Sequence, residues 1–204
     1  MQQCNVVAGG DGGVGDTTWF VGSSVGSWRV LRVDPVSGLP LAWISRLEVT
    51  EEEAQQPIGG WVLTGVTSFE RYVTRAERSL LEGRQESLGR PSATRAALIP
   101  IRKSAAWWDL PHDERRAILE ERSHHIRTGI EYLPAVARRL YHSRDLGEPF
   151  DFLTWFEYVP DHAAAFEQLV ERLRSAEEWR YVEREVDVRM TWDPPNPATT
   201  RVPR

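Results

Sequence analysis

Between residues 18 and 66 the apolar positions come in short bursts, TWFVG, SWRVLRV, LAWISRLEV and GWVLTGV, separated by Gly, Pro and Ser. Runs rich in β-branched and aromatic residues, punctuated in this way, predict four short strands. The stretch RYVTRAERSLLEGRQESL (71–88) predicts a charged amphipathic helix, and RAALIPIRK (95–103) a strand apolar enough to be central. DLPHDERRAILEERSHHI then opens a second helix, with Asp109 as candidate N-cap, Pro111 in its first turn and Gly129 as its stop. Strands are predicted at 137–142 and over FDFLTWFEY (150–158). Asp161 is the candidate cap of DHAAAFEQLVERLRS, whose Phe166, Leu169, Val170 and Leu173 fall at i, i+3, i+4 and i+7. The last strand, YVEREVDVRM (181–190), alternates with Val182, Val186, Val188 and Met190 on one face.

From 95 to 190 the order is strand–helix–strand–strand–helix–strand, that of a ferredoxin-like split βαβ unit. The fold class is α+β, with four antiparallel strands and helices on one face. The other face must meet something, such as a second sheet or a cofactor. Residues 1–16 are glycine-rich and read as a flexible leader, and 191–204, with DPPNPATTRVPR, as an extended tail.

Composition narrows the function classes. A formal charge of −5 and the lack of a long polybasic run argue against nucleic acid as a partner. No apolar run approaches the ~20 residues of a membrane span. The single cysteine, Cys4, builds neither a disulfide framework nor a thiolate metal site within one chain. With no signal-peptide pattern at the N-terminus, a cytoplasmic location is the expectation. Nine tryptophans is a high number, and tryptophan serves both cores and flat aromatic cofactors.

Two pairs of residues invite chemistry: His124–His125 and, thirteen residues on, Arg138–Arg139. A histidine near a helix C-terminus needs no role beyond the dipole, and helical spacing does not separate the two. In a strand, one arginine of the pair points to each side. A buried one needs an anion or a carboxylate.

The segment 99–190 resembles the haem-binding half of the chlorite dismutase family, and the similarity extends back through RAERSLLEGRQESLGRPSATRAALIPIRK toward residue 75. The short first part resembles the compact, dimeric lineage of that family. The resemblance implies a ferredoxin-like dimeric α+β barrel with a reduced N-terminal half at 17–94 and a haem-binding half at 95–190. In the family pattern the proximal histidine is followed four residues on by glycine and seven on by tyrosine. His125, Gly129 and Tyr132 fit, which makes His125 the implied axial ligand of haem b. The family's distal arginine lies thirteen residues after the ligand, which selects Arg138. Glu178, rather than Glu177, matches the glutamate that holds the histidine. Lys103, Trp107 and Trp108 match a segment beside the haem, the lysine with a propionate and the tryptophans along the macrocycle edge. Gln85 falls where compact members place a distal glutamine, and Trp155 reads equally well as core.

The implied reaction is haem b-dependent decomposition of chlorite to chloride and dioxygen, with formation of an O–O bond, by a homodimer. The nearest alternative within the superfamily is a coproheme decarboxylase, whose members typically carry glycine after the ligand, where this chain has Ile126, and glutamine in place of Arg138. A peroxidase and a non-catalytic haem carrier or sensor are the remaining alternatives.

Overall fold

The computed structural model describes residues 17–67 and 73–195; the expected leader and most of the expected tail lie outside them. Eight strands, Thr17–Ser23 (β1), Trp28–Ser37 (β2), Arg46–Thr50 (β3), Trp61–Val66 (β4), Arg95–Lys103 (β5), Val136–His142 (β6), Phe152–Tyr158 (β7) and Val182–Trp192 (β8), form one sheet. It closes on itself in the order β1-β3-β2-β8-β5-β7-β6-β4, every neighbouring pair antiparallel. Of the two covers expected for the bare face of β5–β8, a second sheet or a cofactor, it is a sheet, supplied by the first half of the same chain.

Period-2 alternation decides what each strand residue touches. Leu98, Leu153, Trp155, Val186 and Val188 point into the barrel and meet Phe20, Trp28 and Leu63 from the first half. Trp155 packs edge-on to Trp28 at 5.3 Å and against Phe20 at 5.8 Å, so it is core. The barrel interior is thus filled by side chains. The alternate residues of β5–β7 face outward, under the helices.

Those helices are Arg75–Arg84 (α1), Ala105–Trp108 (α2), His112–Arg116 (α3), His125–Glu131 (α4) and Ala163–Arg174 (α5). As expected, α5 buries Phe166, Leu169, Val170 and Leu173, against Ile99, Phe156 and Tyr158. Helix α1 begins later than its charge pattern suggests, because Thr74 and Glu77 form a reciprocal capping box there.

Several boundaries differ from expectation. The single helix expected from Asp109 to Gly129 is broken. Asp109 closes α2 instead of capping a long helix, and α3 follows Pro111. A π-helical turn, Ala117–Arg122, comes next, and His124 takes a left-handed conformation (φ 52°) that redirects the chain into α4. Gly129 sits inside α4 and does not end it. Asp161 lies in a 3₁₀ turn, Pro160–His162, and α5 starts at Ala163 with no side-chain cap bond. In LAWISRLEV only Arg46 onward is strand. Strand β8 continues to Trp192, into the expected tail. Val182 leaves the face of Val186 and Val188 to join the α5 cluster, because an irregularity at Arg102/Lys103 shifts the alternation there. No described helix is long and apolar enough to cross a membrane.

Helix α1 is tied to α3 by Arg116, whose two terminal nitrogens reach the two Glu77 oxygens at 3.1 and 2.8 Å. Those hydrogen bonds outweigh the effect of partial burial and hold the Glu77 carboxyl at about 2, below its ordinary 4.5. A depressed carboxylate adds stability above its unfolded pKa and loses it as pH falls toward the folded one. Glu77→Gln should therefore cost about 1 kcal/mol at pH 7. The gap from wild type should close as pH falls from about 4.5 toward 2, read from urea unfolding across that range. A gap independent of pH would mean that the pair contributes nothing as an ion pair.

Candidate functional site

The outward face of β5–β7 and the helices over it do not meet everywhere. They leave a cleft of about 1280 Å³ of empty space, part of it open to solvent. Its walls are mostly apolar: Ile99 and Ile101 from β5, Phe152 and Phe156 from β7, Leu119 and Ile126 from the helices. Into these walls are set His125, Glu178, Lys103, Trp107, Arg138 and Gln85.

The left-handed turn at His124 explains why one histidine reaches the cleft and its neighbour does not. His124 is exposed, with Nδ1 2.9 Å from the Glu120 carbonyl, and faces the outer surface. His125 is the first residue of α4 and points inward. A cation resting on a helix C-terminus therefore cannot be its explanation. The start of α4 is fixed by the Glu120 carboxylate, which accepts from the backbone N–H groups of Ile126 and Arg127 at 2.7 and 3.3 Å.

The Nδ1 of His125 lies 2.6 Å from Glu178 Oε2, and the other oxygen, Oε1, accepts from Lys103 Nζ at 2.6 Å. The Lys103 and Glu178 side chains are 3% and 5% exposed, so this chain of charges is out of water. Burial pushes the Glu178 carboxyl up, but the Lys103 ammonium and the hydrogen bonds from His125 and Lys103 overcome it and hold it below the ordinary carboxylate range. An ionised carboxylate can only accept, so Nδ1 carries the hydrogen and the Nε2 lone pair is left for the cleft. Ser123 Oγ accepts the Glu178 backbone N–H at 2.9 Å and fixes that residue from below. Glu177, by contrast, lies 3.4 Å from Arg122 outside the cleft.

Strand parity separates the arginines. Arg138 shares the cleft face of β6 with Leu140 and His142, whereas Arg139 has the parity of Ala137 and Tyr141, which point into the barrel. Gln85, the C-cap of α1, also reaches the cleft, and the loop after it is pinned where Gly89 N–H donates to Glu157 at 2.6 Å.

Lys103, expected beside a propionate, lines the cleft and gives one of its ammonium hydrogens to Glu178. One residue departs from expectation. Trp108, expected at a macrocycle edge, does not line the cleft: it follows Trp107 on α2, about 100° further round a helix. Its indole N–H donates to Asp151 at 3.2 Å, and its ring stacks on Phe152. No pattern in the sequence assigns Trp179 a role. Its ring lies nearly parallel to His125 at 6.4 Å, and its N–H donates to Glu185 at 2.8 Å. Arg174 in turn holds Glu185 at 2.6 Å. The alternation of β8 could have flagged Glu185, since Val186 and Val188 claim the barrel face and put it opposite, under α5.

Haem fits these residues. Trp107 is 1% exposed and its indole nitrogen has no hydrogen-bond partner, an orphaned donor on the cleft wall that a propionate would satisfy. Among the described residues no three His, Cys, Asp or Glu side chains gather to hold a bare ion. A single imidazole held by a buried carboxylate, His125, suits a metal whose other ligands come from a macrocycle.

The family model for chlorite dismutase matches residues 52–191. The fold and the matched segment define the class: the chain belongs to the chlorite dismutase family. A dimeric chlorite dismutase from Nitrobacter winogradskyi, known from its crystal structure, is 57% identical with a TM-score of 0.81, over 86% of this chain and 99% of that one. A mutant chlorite dismutase from Candidatus Nitrospira defluvii is 32% identical, TM-score 0.54, over 65% of this chain and 55% of that one. The chlorite dismutase of Ideonella dechloratans is 32% identical over 121 residues, 58% of this chain but only 40% of that protein's length.

Breaking one end of the buried pair leaves a charge without its partner. Glu178→Gln should cost about 3 kcal/mol, and Lys103→Met in the same chain should recover part of that loss. Denaturant midpoints of the two single variants and the double variant measure the coupling; additive losses would contradict it.

Proposed function

We propose that this protein is a haem b-dependent chlorite O₂-lyase that converts chlorite to chloride and dioxygen. The observation that carries the reading is His125, whose Nδ1 is locked to an ionised, buried Glu178 and whose free nitrogen faces an apolar cleft with Arg138 on its sheet wall. Haem, when bound, would supply the redox-active iron for exchanging the Cl–O bonds of chlorite for the O–O bond of dioxygen. The protein's own residues do the rest. His125 would hold the iron, and the negative charge of Glu178 on its N–H would make the imidazole a stronger donor than a free histidine. Lys103 keeps that carboxylate ionised inside a dry site. Trp107 donates to a propionate, and Trp179 stacks beside the ligand ring.

On the substrate side, the Arg138 guanidinium would draw in the chlorite anion and keep the reacting oxyanion from leaving the cleft. Gln85 sits at the same cleft and orients the arginine. The apolar walls exclude water and strengthen the pull of that guanidinium. The net reaction, ClO₂⁻ → Cl⁻ + O₂, moves no proton, so no general base is needed. The pairing of Arg138 with Glu178 favours this reading over a carrier, which needs neither a cation at the substrate position nor an electron-rich ligand. Its similarity to the dimeric Nitrobacter winogradskyi enzyme over nearly that enzyme's whole length supports a homodimer.

Haem-loaded protein should release one dioxygen per chlorite in an oxygen electrode, and His125→Ala should abolish the release. Arg138→Ala should lower the rate by roughly tenfold, the size of one charge-assisted hydrogen bond, and let hypochlorite escape to a chlorinatable trap in solution. Haem-loaded wild type that releases no oxygen would sink the activity.

A further inference from the structure

We infer that Glu185 is a positioning residue for the His125 imidazole and acts through Trp179. The inference rests on the role proposed for His125 only where haem is concerned; the contacts among the three residues are geometric.

Glu185 is a fully buried carboxylate of β8, on the side that faces α5. A charge out of water is unfavourable unless it is paired and hydrogen-bonded. Arg174, in the last turn of α5, gives both Nε and Nη2 to one oxygen, Oε1, at 2.8 and 2.6 Å. The fork arrangement of an arginine on a carboxylate places one donor on each oxygen. Here the second oxygen, Oε2, is left to the Trp179 indole N–H, which donates to it at 2.8 Å. Nor does the local charge call for this carboxylate. Arg174 also donates to Asp187 at 2.9 Å, and Arg189 donates to both Asp187 and Glu167, so the two guanidinium groups have counter-charges without Glu185. Glu185 is a surplus buried anion, and what it adds is an acceptor for the indole.

Trp179 uses such an anchor. It sits on a 3₁₀ turn, Glu177–Tyr181, directly after Glu178. Its ring is stacked on the His125 imidazole, 17° from parallel and with centroids 6.4 Å apart, inside the range of offset aromatic pairs. Consecutive residues thus hold the imidazole in two ways. Glu178 holds one edge, through the bond to Nδ1 at 2.6 Å. A single hydrogen bond fixes a point, about which a ring can still rock. Trp179 lies along the face and limits that rocking, provided its own ring is kept from turning, and the bond to Glu185 keeps it so. The lone pair of Nε2 lies in the plane of the imidazole. A stacked neighbour therefore runs alongside that direction and leaves the space ahead of it to the macrocycle. Through Arg174, the plane of the proposed ligand is referred to α5, a regular helix, rather than to the short turn that carries Trp179.

The test compares Glu185→Leu, Glu185→Gln, Trp179→Phe and the double variant Glu185→Leu with Trp179→Phe. Leucine removes the acceptor, glutamine keeps an oxygen that can accept, and phenylalanine keeps a flat ring without the N–H. Arg174 retains Asp187 in all of them. The first reading needs no haem: carbon relaxation of the His125 ring in protein carrying isotope-labelled histidine. In Glu185→Leu its order parameter should fall from a rigid value of about 0.85 to about 0.6 or less. It should fall as far in Trp179→Phe, no further in the double variant, and stay near wild type in Glu185→Gln. The second reading is the electron paramagnetic resonance of the ferric, haem-loaded protein, whose rhombic splitting follows the imidazole plane. That splitting should change alike in Glu185→Leu and Trp179→Phe and be restored in Glu185→Gln. An unchanged order parameter in Glu185→Leu would overturn the inference, as would a further fall when Glu185→Leu is added to Trp179→Phe. Should Glu185→Leu fail to fold, Trp179→Phe decides, and an imidazole there as rigid as in wild type would overturn it. If the imidazole loosens as expected while the splitting stays put, the positioning contact stands and the role proposed for His125 at the iron fails.

Discussion

A carboxylate buried between an ammonium and an imidazole governs the architecture around the cleft. Glu178 would be intolerable alone in a site this dry, because an isolated buried charge costs several kcal/mol. Lys103 from the end of β5 and His125 from the start of α4 meet its two oxygens at 2.6 Å each. Three segments far apart in the chain are thereby fixed to one point. Such a triad adds little net stability, since desolvation offsets most of the Coulombic attraction. What it provides is direction: an imidazole that cannot rotate, with one nitrogen occupied and the other aimed into the cleft.

The barrel makes that arrangement possible by keeping its own interior out of the chemistry. Its inside is packed with Phe20, Trp28, Trp155 and the apolar residues of β5, β7 and β8. A solid barrel leaves the outward face of β5–β7 as a stiff floor. The helices then act as a partial roof, with α5 sealing one end and α2, the π-turn and α4 standing off at the other. The π-turn and the left-handed His124 look like defects in a helix, yet they re-aim the chain by one residue and set His125 rather than His124 over the floor. Irregular backbone of this kind concentrates at functional sites.

Much of this is legible in the sequence, for different reasons in different places. The strands and α5 announce themselves by period, and Arg138 and Arg139 separate cleanly once β6 is known to be extended. The histidines are another matter. Seven-residue periodicity through Ala117, Ile118 and Leu119 suggests one continuous helix, and no local pattern predicts that a π-turn and a left-handed residue will interrupt it. Gly129 reads as a helix stop because glycine usually is one; its place inside α4 is visible only in three dimensions. The bond from Lys103 to Glu178 is hidden for a similar reason. Glu178 is 75 residues away, and a lone lysine at a strand end looks like a surface charge or an anion site. The resemblance to a known family placed these residues together, and the geometry supplies what each one touches.

The account turns on His125 being the iron's ligand and on Glu178 setting its donor strength. Resonance Raman spectra of the ferrous, haem-loaded protein measure the iron–histidine stretch directly. A band that is lost in His125→Ala and moves to lower frequency in Glu178→Gln is the predicted result. A band that survives His125→Ala, or one that Glu178→Gln leaves unmoved, would contradict it.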